Sequence, residues 1–194
     1  MIYFFQTLSL KTRFLAVLLL FFPVMVFWWL LTSAPWALAH LQMLSQGAGM
    51  PDQGFSYTPQ ALYEIFTAWG EAGRWHYFAV LLPTDLGFLV SYGLFLASAT
   101  LYWLKKANPA SSWWYLLAMM PLAGAGLDLL ENLVVTVAAF LPTKGWEPVA
   151  WAASALTSAK WSVLGLAGAV LVLGTLVSLI RLGWEKIGAL LHQD

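Results

Sequence analysis

Four long apolar runs constrain this chain more than any other feature of its sequence. In chain order they cover about residues 14–31, 77–104, 113–140 and 149–180. The hydrocarbon core of a bilayer takes about 20 helical residues to cross, and a segment in lipid must pair its own backbone groups. We therefore predict an all-α polytopic membrane protein. Its four transmembrane helices form one bundle over residues 1–194, with short interfacial helices attached.

Composition agrees with a membrane environment and excludes several function classes. Charged residues make up 9% of the chain and hydrophobic residues 61%, whereas roughly a quarter of a soluble protein is charged. The net charge is zero without a basic run, which argues against a nucleic-acid partner. Cysteine is absent, so disulfides, thiolate metal sites and thiol catalysis are excluded. His40 and His76 lack paired ligand spacing, and we expect neither a metal nor a cofactor.

The first apolar run has two interpretations. It follows Lys11 and Arg13 and precedes the small-residue pattern Ala37-Leu38-Ala39, which is the order found in a cleaved signal peptide. The run is longer than the roughly 7–15 apolar residues of such peptides. We therefore favour a retained membrane anchor.

A long outer connection, residues 32–76, separates the first two spans. Thr58-Pro59 predicts the start of a helix, with threonine as N-cap and proline in the first turn. Leu62, Phe66 and Trp69 follow at i, i+4 and i+7, which predicts an amphipathic helix lying on the membrane surface. Gly70 and Gly73 are expected to break this helix.

Basic residues are distributed unequally between the two ends of the spans. One side carries six of them and the other only two, by our assignment of the loops: Lys11, Arg13, Lys105, Lys106, Arg181 and Lys186 against Arg74 and Lys144. Cytoplasmic loops are enriched in lysine and arginine. We therefore expect both termini in the cytoplasm, in a bacterial inner membrane.

Charged residues within three of the spans fall at similar depths. With a rise of 1.5 Å per residue, Asp85 lies about 12 Å from the outer end of its span and Lys160 about 16 Å. Asp128 and Glu131 lie about 14–18 Å deep in the third span. Asp128 also shares a helical face with Asn132, four residues on. Because charges in hydrocarbon are costly and normally meet partners, we predict that these groups converge in one polar layer.

Neighbouring residues extend this layer into a pocket. Tyr92 lies two turns after Asp85, Trp161 follows Lys160, and Arg74 stands at the outer mouth. The predicted ligand-binding residues are Asp85, Tyr92, Asp128, Glu131, Asn132, Lys160, Trp161 and Arg74. Three acids facing few bases also predict that at least one carboxyl is protonated near neutral pH. If the protein is an enzyme, Asp128 and Glu131 are the expected catalytic residues.

The order of these residues carries a resemblance to known membrane proteins. Gly73-Arg74, Asp85, Asp128-x-x-Glu131-Asn132 and Lys160-Trp161 resemble a group of small four-span bacterial membrane proteins without a settled role. The layout over roughly residues 60–180 is also similar to the EXPERA group of sterol isomerases and sterol-binding proteins. This resemblance implies a lipidic ligand held among acidic and aromatic side chains. The histidine expected in the isomerases has no counterpart within these spans.

Three functions are consistent with the sequence. The first is binding of an amphipathic lipid-like or isoprenoid molecule, with a link to proton uptake. The second is an intramembrane isomerase-type enzyme that uses carboxyl groups for acid and base catalysis on such a lipid. The third is a structural or accessory membrane subunit, in which the polar layer locks helices together. The expected partners are a membrane lipid or other hydrophobic small molecule, and further copies of the chain or a partner subunit.

Overall fold

The structure is a computed structural model that describes residues 1–108, 110–141 and 147–191, with side chains to residue 184 in the last range. The described residues form helices and connections without a strand. The helices are α1 (Ile2–Lys11), α2 (Phe14–Thr32), α3 (Leu38–Leu44), α4 (Pro59–His76), α5 (Leu82–Ala107), α6 (Met119–Phe140) and α7 (Glu147–Leu191). Shorter turns are 3₁₀-helical at Pro51–Gln53 and Ser112–Ala118, and π-helical at Tyr77–Leu81.

Four helical segments are long and apolar enough to cross a membrane, which confirms the predicted all-α polytopic bundle. They are Phe14–Thr32, Pro59–Ala107, Ser112–Phe140 and Glu147–Trp184. The last helix continues to Leu191, so the predicted fourth span and most of the C-terminal tail are one helix. The loop expected between the third and fourth spans, with Lys144, lies outside the described residues, as does the side chain of Lys186.

Helix α5 is central to the bundle because α2, α6 and α7 all pack against it, and α6 and α7 also pack against each other. Small residues on α6 allow this close approach. A Cβ atom placed on Gly124 would overlap the side chain of Leu164 on α7. A Cβ on Gly93 of α5 would lie 3.0 Å from the Cβ of Ala125 on α6. The polar residues on α5, α6 and α7 are therefore held within reach of one another.

Helix α4 begins as predicted, but its apolar stripe, Leu62, Phe66 and Trp69, faces the protein core and not the membrane surface. Thr58 caps it by accepting a hydrogen bond from the backbone N–H of Ala61 at 3.2 Å. Leu62, Phe66 and Trp69 are at most 1% exposed and belong to the core cluster that includes residues of α6 and α7. The expected location of this stripe in the membrane surface is therefore wrong. The stripe packs on the end of the bundle, since α6 and α7 offer it an apolar surface.

The predicted helix break is correct for Gly70 and wrong for Gly73. Gly70 has φ +59° and kinks the helix, a conformation that glycine adopts without the strain of a side chain. Gly73 lies within the helix, buried against Trp69 and Leu41, and it does not interrupt the chain. The helical path continues through the π-helical turn into α5. Pro83 follows that turn, and the wider turn accommodates its ring and missing N–H.

The other end of the bundle carries basic side chains. Lys105 Nζ donates to the carbonyl oxygen of Leu10 at 2.8 Å, and Arg181 Nη1 donates to that of Ala107 at 2.7 Å. These contacts place residues from α1, α5 and α7 at one end, opposite α3 and α4. The assignment of this end to the cytoplasm remains a prediction.

Candidate functional site

Lys160 is the centre of a buried ionic cluster. Its Nζ atom lies 2.6 Å from Glu131 Oε2, 2.8 Å from Asp128 Oδ1 and 3.0 Å from Asp52 Oδ2. The ammonium group donates hydrogen bonds to Asp128 and Asp52, while Glu131 Oε2 pairs with it by charge alone. The side chain of Lys160 is 2% exposed. A cation at this depth requires such pairing, because an unpaired buried charge costs several kcal/mol.

Asp52 is the member of this cluster that sequence reasoning missed. It lies in the connection between α3 and α4, directly after Pro51, and its side chain is 26% exposed. An estimate of depth along helices cannot locate a loop residue. In the sequence, Asp52 lies between Gly49 and Gly54, a pattern that is equally typical of a solvent-exposed turn.

A second hydrogen-bonded group joins α5 to α6 beside the ionic cluster. Asn132 Nδ2 donates to Asp85 Oδ2 at 2.5 Å, while its Oδ1 accepts from the hydroxyl of Tyr77 at 3.2 Å. The hydroxyl of Tyr92 donates to Asp128 Oδ2 at 2.8 Å. All five side chains are at most 8% exposed. Asn132 therefore uses its amide to hold one carboxylate and one phenol in fixed positions.

The far side of Glu131 is closed by two hydroxyl groups. Thr157 Oγ1 donates to Glu131 Oε1 at 2.5 Å and lies 3.3 Å from the hydroxyl of Tyr57. Burial raises the pKa of Tyr57 well above its ordinary value, and the nearby carboxylates add to this rise. Tyr57 is therefore a neutral phenol at any physiological pH. Together these groups seal Glu131, which is 1% exposed.

A cavity of about 260 Å³ opens next to the cluster. Its polar wall consists of Asp52, Asp85, Asp128, Lys160 and the edge of Tyr92. The remaining wall is apolar and aromatic, formed by Phe88, Leu96, Trp161 and Leu164. The cavity therefore has a charged end and a hydrophobic side, as a site for an amphipathic molecule requires.

A second cavity of about 380 Å³ adjoins the first towards the end of the bundle that carries α3. The two cavities share Asp52, Asp85, Phe88 and Trp161. The wall of the second cavity is completed by residues of α2, α3 and the connection that follows α3: Trp28, Leu31, Thr32, Leu38, Met50 and Gln53. The two cavities are therefore adjacent, and their four common side chains form the wall that they share.

The structure brings most of the predicted site residues together, but three of the eight are absent from the walls of both cavities: Glu131, Asn132 and Arg74. Glu131 contacts Lys160 but lies behind it, outside the walls of both cavities. Arg74 is also absent from those walls, and its Nε donates to the carbonyl oxygen of Phe66 at 3.1 Å. That contact bridges the kink at Gly70, so Arg74 stabilises the bend of α4. Trp161 is 43% exposed on the bundle surface, and its ring centroid is 5.7 Å from Lys160 Nζ.

The carboxyl groups are not arranged as a metal centre. Within the described residues, no group of three or more histidine, cysteine, aspartate or glutamate side chains could hold a metal ion. Lys160 occupies the position between the acids, and its own charge takes the place of a bound cation.

We compared the chain with known proteins and found no match. No family model matches it, and no curated protein or solved structure matches it either. The class of protein is therefore defined by the fold alone, as an integral membrane protein with a helical bundle.

Proposed function

We propose that this membrane protein binds an amphipathic lipid-like or isoprenoid molecule in the first cavity, with the polar end of the ligand at the ionic cluster. The observation that carries this proposal is Asp85. Three carboxylates already form ion pairs with the ammonium group of Lys160, and Asp85 is a fourth acid that lines the cavity. Asp85 links α5 to α6 through Asn132, but a neutral side chain would form that link without the cost of a buried charge.

The charge of the cluster indicates what the polar end of the ligand offers. Three carboxyl groups contact the ammonium group and a fourth, Asp85, lies on the cavity wall beside them, so the site is rich in acceptors and poor in free donors. A phosphate or carboxylate head would be repelled, whereas a head that donates hydrogen bonds would be stabilised. Uptake of a proton by the cluster would offset part of the acid excess, which links binding to protons.

The ligand's apolar part is accommodated along the length of α5. Phe88, Tyr92 and Leu96 succeed one another at intervals of four residues, and all three line the cavity. Phe88 and Leu96 are eight residues apart, which corresponds to about 12 Å of helix. A hydrophobic tail laid along this face would bury its surface against Leu164 and Trp161.

Mass spectrometry of small molecules that remain with the purified protein tests the proposal. Asp85→Asn keeps the shape of the side chain and an oxygen that accepts from Asn132, so we expect the variant to fold. It should lose most of the retained molecule. Ser178→Ala is the matched control, because Ser178 is a buried polar residue of α7 that hydrogen-bonds only to backbone oxygens far from the cluster.

The alternatives predict other results in the same experiment. If the parent protein retains no small molecule that Asp85→Asn loses, the binding proposal fails. Collapse of expression in Asp85→Asn, Asp128→Asn and Lys160→Met alike, without any retained molecule, would identify a structural or accessory subunit.

An intramembrane enzyme is the second candidate, favoured by the position of two carboxyl groups on one cavity. Asp85 and Asp128 both line it, so one can act as acid and the other as base on the same bound molecule. Glu131, one of the two acids predicted to be catalytic, would then support Lys160 instead. Turnover of an isoprenoid or sterol-like lipid by the purified protein, absent in Asp128→Asn, would establish this function.

We place the protein in a bacterial inner membrane with both termini in the cytoplasm, so that α3 and the first cavity are nearer the outer face. The support is the basic end described above. A reporter enzyme fused to the C-terminus should be active only in its cytoplasmic form.

A further inference from the structure

The connection between α3 and α4 crosses the surface of α7 as a strap, defined here as residues 49–57. Its hydrogen bonds to α7 run in order along one helical stripe. Tyr57 N donates to Ser154 Oγ at 3.0 Å, and Ser158 Oγ donates to the carbonyl oxygen of Phe55 at 3.0 Å. Residues spaced four apart share a helical face, so the strap follows a single face of α7.

The middle of the strap reaches the wall that the two cavities share. Trp161 Nε1 donates to the carbonyl oxygen of Asp52 at 3.2 Å, and Lys160 Nζ donates to its Oδ2 at 3.0 Å. Asp52 and Trp161 line both cavities. Removing Asp52 from Lys160 would therefore open the wall that divides the two spaces.

The two ends of the strap are fixed to buried groups, since Trp69 Nε1 donates to the carbonyl oxygen of Gly49 at 3.2 Å and Ser154 accepts from Tyr57 N. The bonds of its middle part, at Asp52 and Phe55, can be released without leaving a buried group unpaired. Ser158 Oγ also lies 3.1 Å from the carbonyl oxygen of Ser154, in its own helix. Lys160 keeps the carboxylates of Asp128 and Glu131 when Asp52 leaves. Asp52 itself is already 26% exposed and would complete its hydration. An unpaired buried donor would make opening costly, and none is created here.

The strap also begins at a point suited to a hinge. Gln46 has φ +53° and Gly47 has φ +101°, so the chain reverses through two left-handed residues after α3. A Cβ on Gly47 would meet nothing within 4 Å, which shows that the surrounding space is open. The part that moves lies between the anchors at Gly49 and Tyr57, outside α3 and α4, so its displacement leaves both helices in place.

From these contacts we propose that the strap is a gate, that Asp52 is its latch on Lys160, and that the second cavity is the entrance to the binding site. This inference rests on the proposed binding function. Ligand pockets usually enclose about 300–1,000 Å³, and the first cavity, at about 260 Å³, falls below that range by itself. Joined to the second cavity it lies within the range, so the open strap would admit a larger molecule than the closed one.

The absence of cysteine allows a direct test by thiol labelling. Leu164→Cys places a thiol in the wall of the first cavity alone, and a charged methanethiosulfonate reagent reports access to it. Adding Asp52→Asn should raise the labelling rate about tenfold, the change expected when a hydrogen bond between charged groups is lost from the closed state. Trp161→Phe removes the indole N–H and should change the rate in the same direction.

Two controls separate gating from general loosening. Glu64→Gln removes an exposed carboxyl of α4 outside the strap and should leave labelling at Leu164→Cys unchanged. Leu133→Cys, on the exposed surface of α6, should be labelled at the same rate with or without Asp52→Asn. Unchanged labelling of Leu164→Cys in both strap variants would overturn the gate, and so would equal acceleration at Leu133→Cys.

The labelling experiment needs no ligand, so its failure differs from failure of the proposed function. If the strap is a gate but the protein binds no ligand, the strap variants still speed labelling of Leu164→Cys, and mass spectrometry finds no retained molecule. A retained molecule with unchanged labelling would preserve the binding site and remove the gate.

Discussion

Replacement of Lys160 by methionine is the perturbation whose effect the structure specifies best. Methionine has a similar length and no charge, so the variant removes the ammonium group with little change in packing. Three carboxylates then lie around a position that no longer attracts them. The variant isolates the ionic contribution of the cluster to stability.

The size of the effect follows from the exposure of each carboxylate. Removal of one member of a buried ion pair costs about 3–5 kcal/mol, because a charge remains without its partner. Glu131 is 1% exposed and 2.6 Å from Nζ, so it contributes most of this cost. Asp52 is 26% exposed and can turn towards water, so its contribution is screened to about 1 kcal/mol or less. We expect Lys160→Met to lower the free energy of unfolding by about 3–5 kcal/mol.

Double-mutant cycles measure these contributions separately. Unfolding by a denaturing detergent in mixed micelles, followed by the fluorescence of the twelve tryptophans, gives the free energy for each variant. The coupling energy between Lys160→Met and Glu131→Gln should be about 2 kcal/mol, and that between Lys160→Met and Asp52→Asn should be smaller. Additivity of Lys160→Met and Glu131→Gln within about 0.5 kcal/mol would refute the reasoning, since the two groups would then not interact.

Other features of the chain give three further predictions. Gly70→Ala should lower the free energy of unfolding by about 1–2 kcal/mol, because alanine disfavours a positive φ. Gly126→Ala is the control in the same assay: its added Cβ meets nothing within 4 Å, so it should be neutral or slightly stabilising. Gly124→Ala should cost about 1–3 kcal/mol by overlap with Leu164, and Leu164→Ala in the same chain should restore part of that loss if the overlap is the cause. Infrared spectra of the buried cluster should show at least one protonated carboxyl band near neutral pH, and a fully ionised set at pH 7 would contradict the charge count.

The four spans and the start of α4 could be predicted from sequence because each depends on local information, whereas α3 carries no such signal. Length and apolarity define a span in lipid, and the Thr58-Pro59 cap follows from the same two residues that form it. The orientation of α4 could not be predicted in this way. Its stripe suits a membrane surface and a protein surface equally well, and only tertiary packing decides between them. Arg74 is another example. Its position before the second span predicts a place at the mouth of the pocket, but in the structure it hydrogen-bonds within its own helix.

The site was predictable where depth along a helix was sufficient. Asp128 and Lys160 meet because their helices place them at one level and small residues allow the helices to approach. The contribution of Asp52 could not be inferred, because a loop has no fixed rise per residue and can bring an acid to almost any level. Glu131 illustrates a further limit. Its depth was informative, but which side of Lys160 it occupies depends on the rotation of α6, and this excludes it from the cavity wall.

Of the four acids at or near Lys160, two are needed to join the helices and two are additional. Asp128 and Glu131 belong to α6 and join it to α7, so they suffice to hold the two helices and to balance the charge of Lys160. Asp52 and Asp85 add two more carboxyls, one on a strap with exchangeable contacts and one on the cavity wall. Each addition increases the excess of acids over the single ammonium group, and Asp85 carries most of the cost because it is buried and pairs with Asn132, not with Lys160. Groups that lower stability yet lie on a cavity and its gate are best explained by a ligand whose polar end stabilises them when it binds.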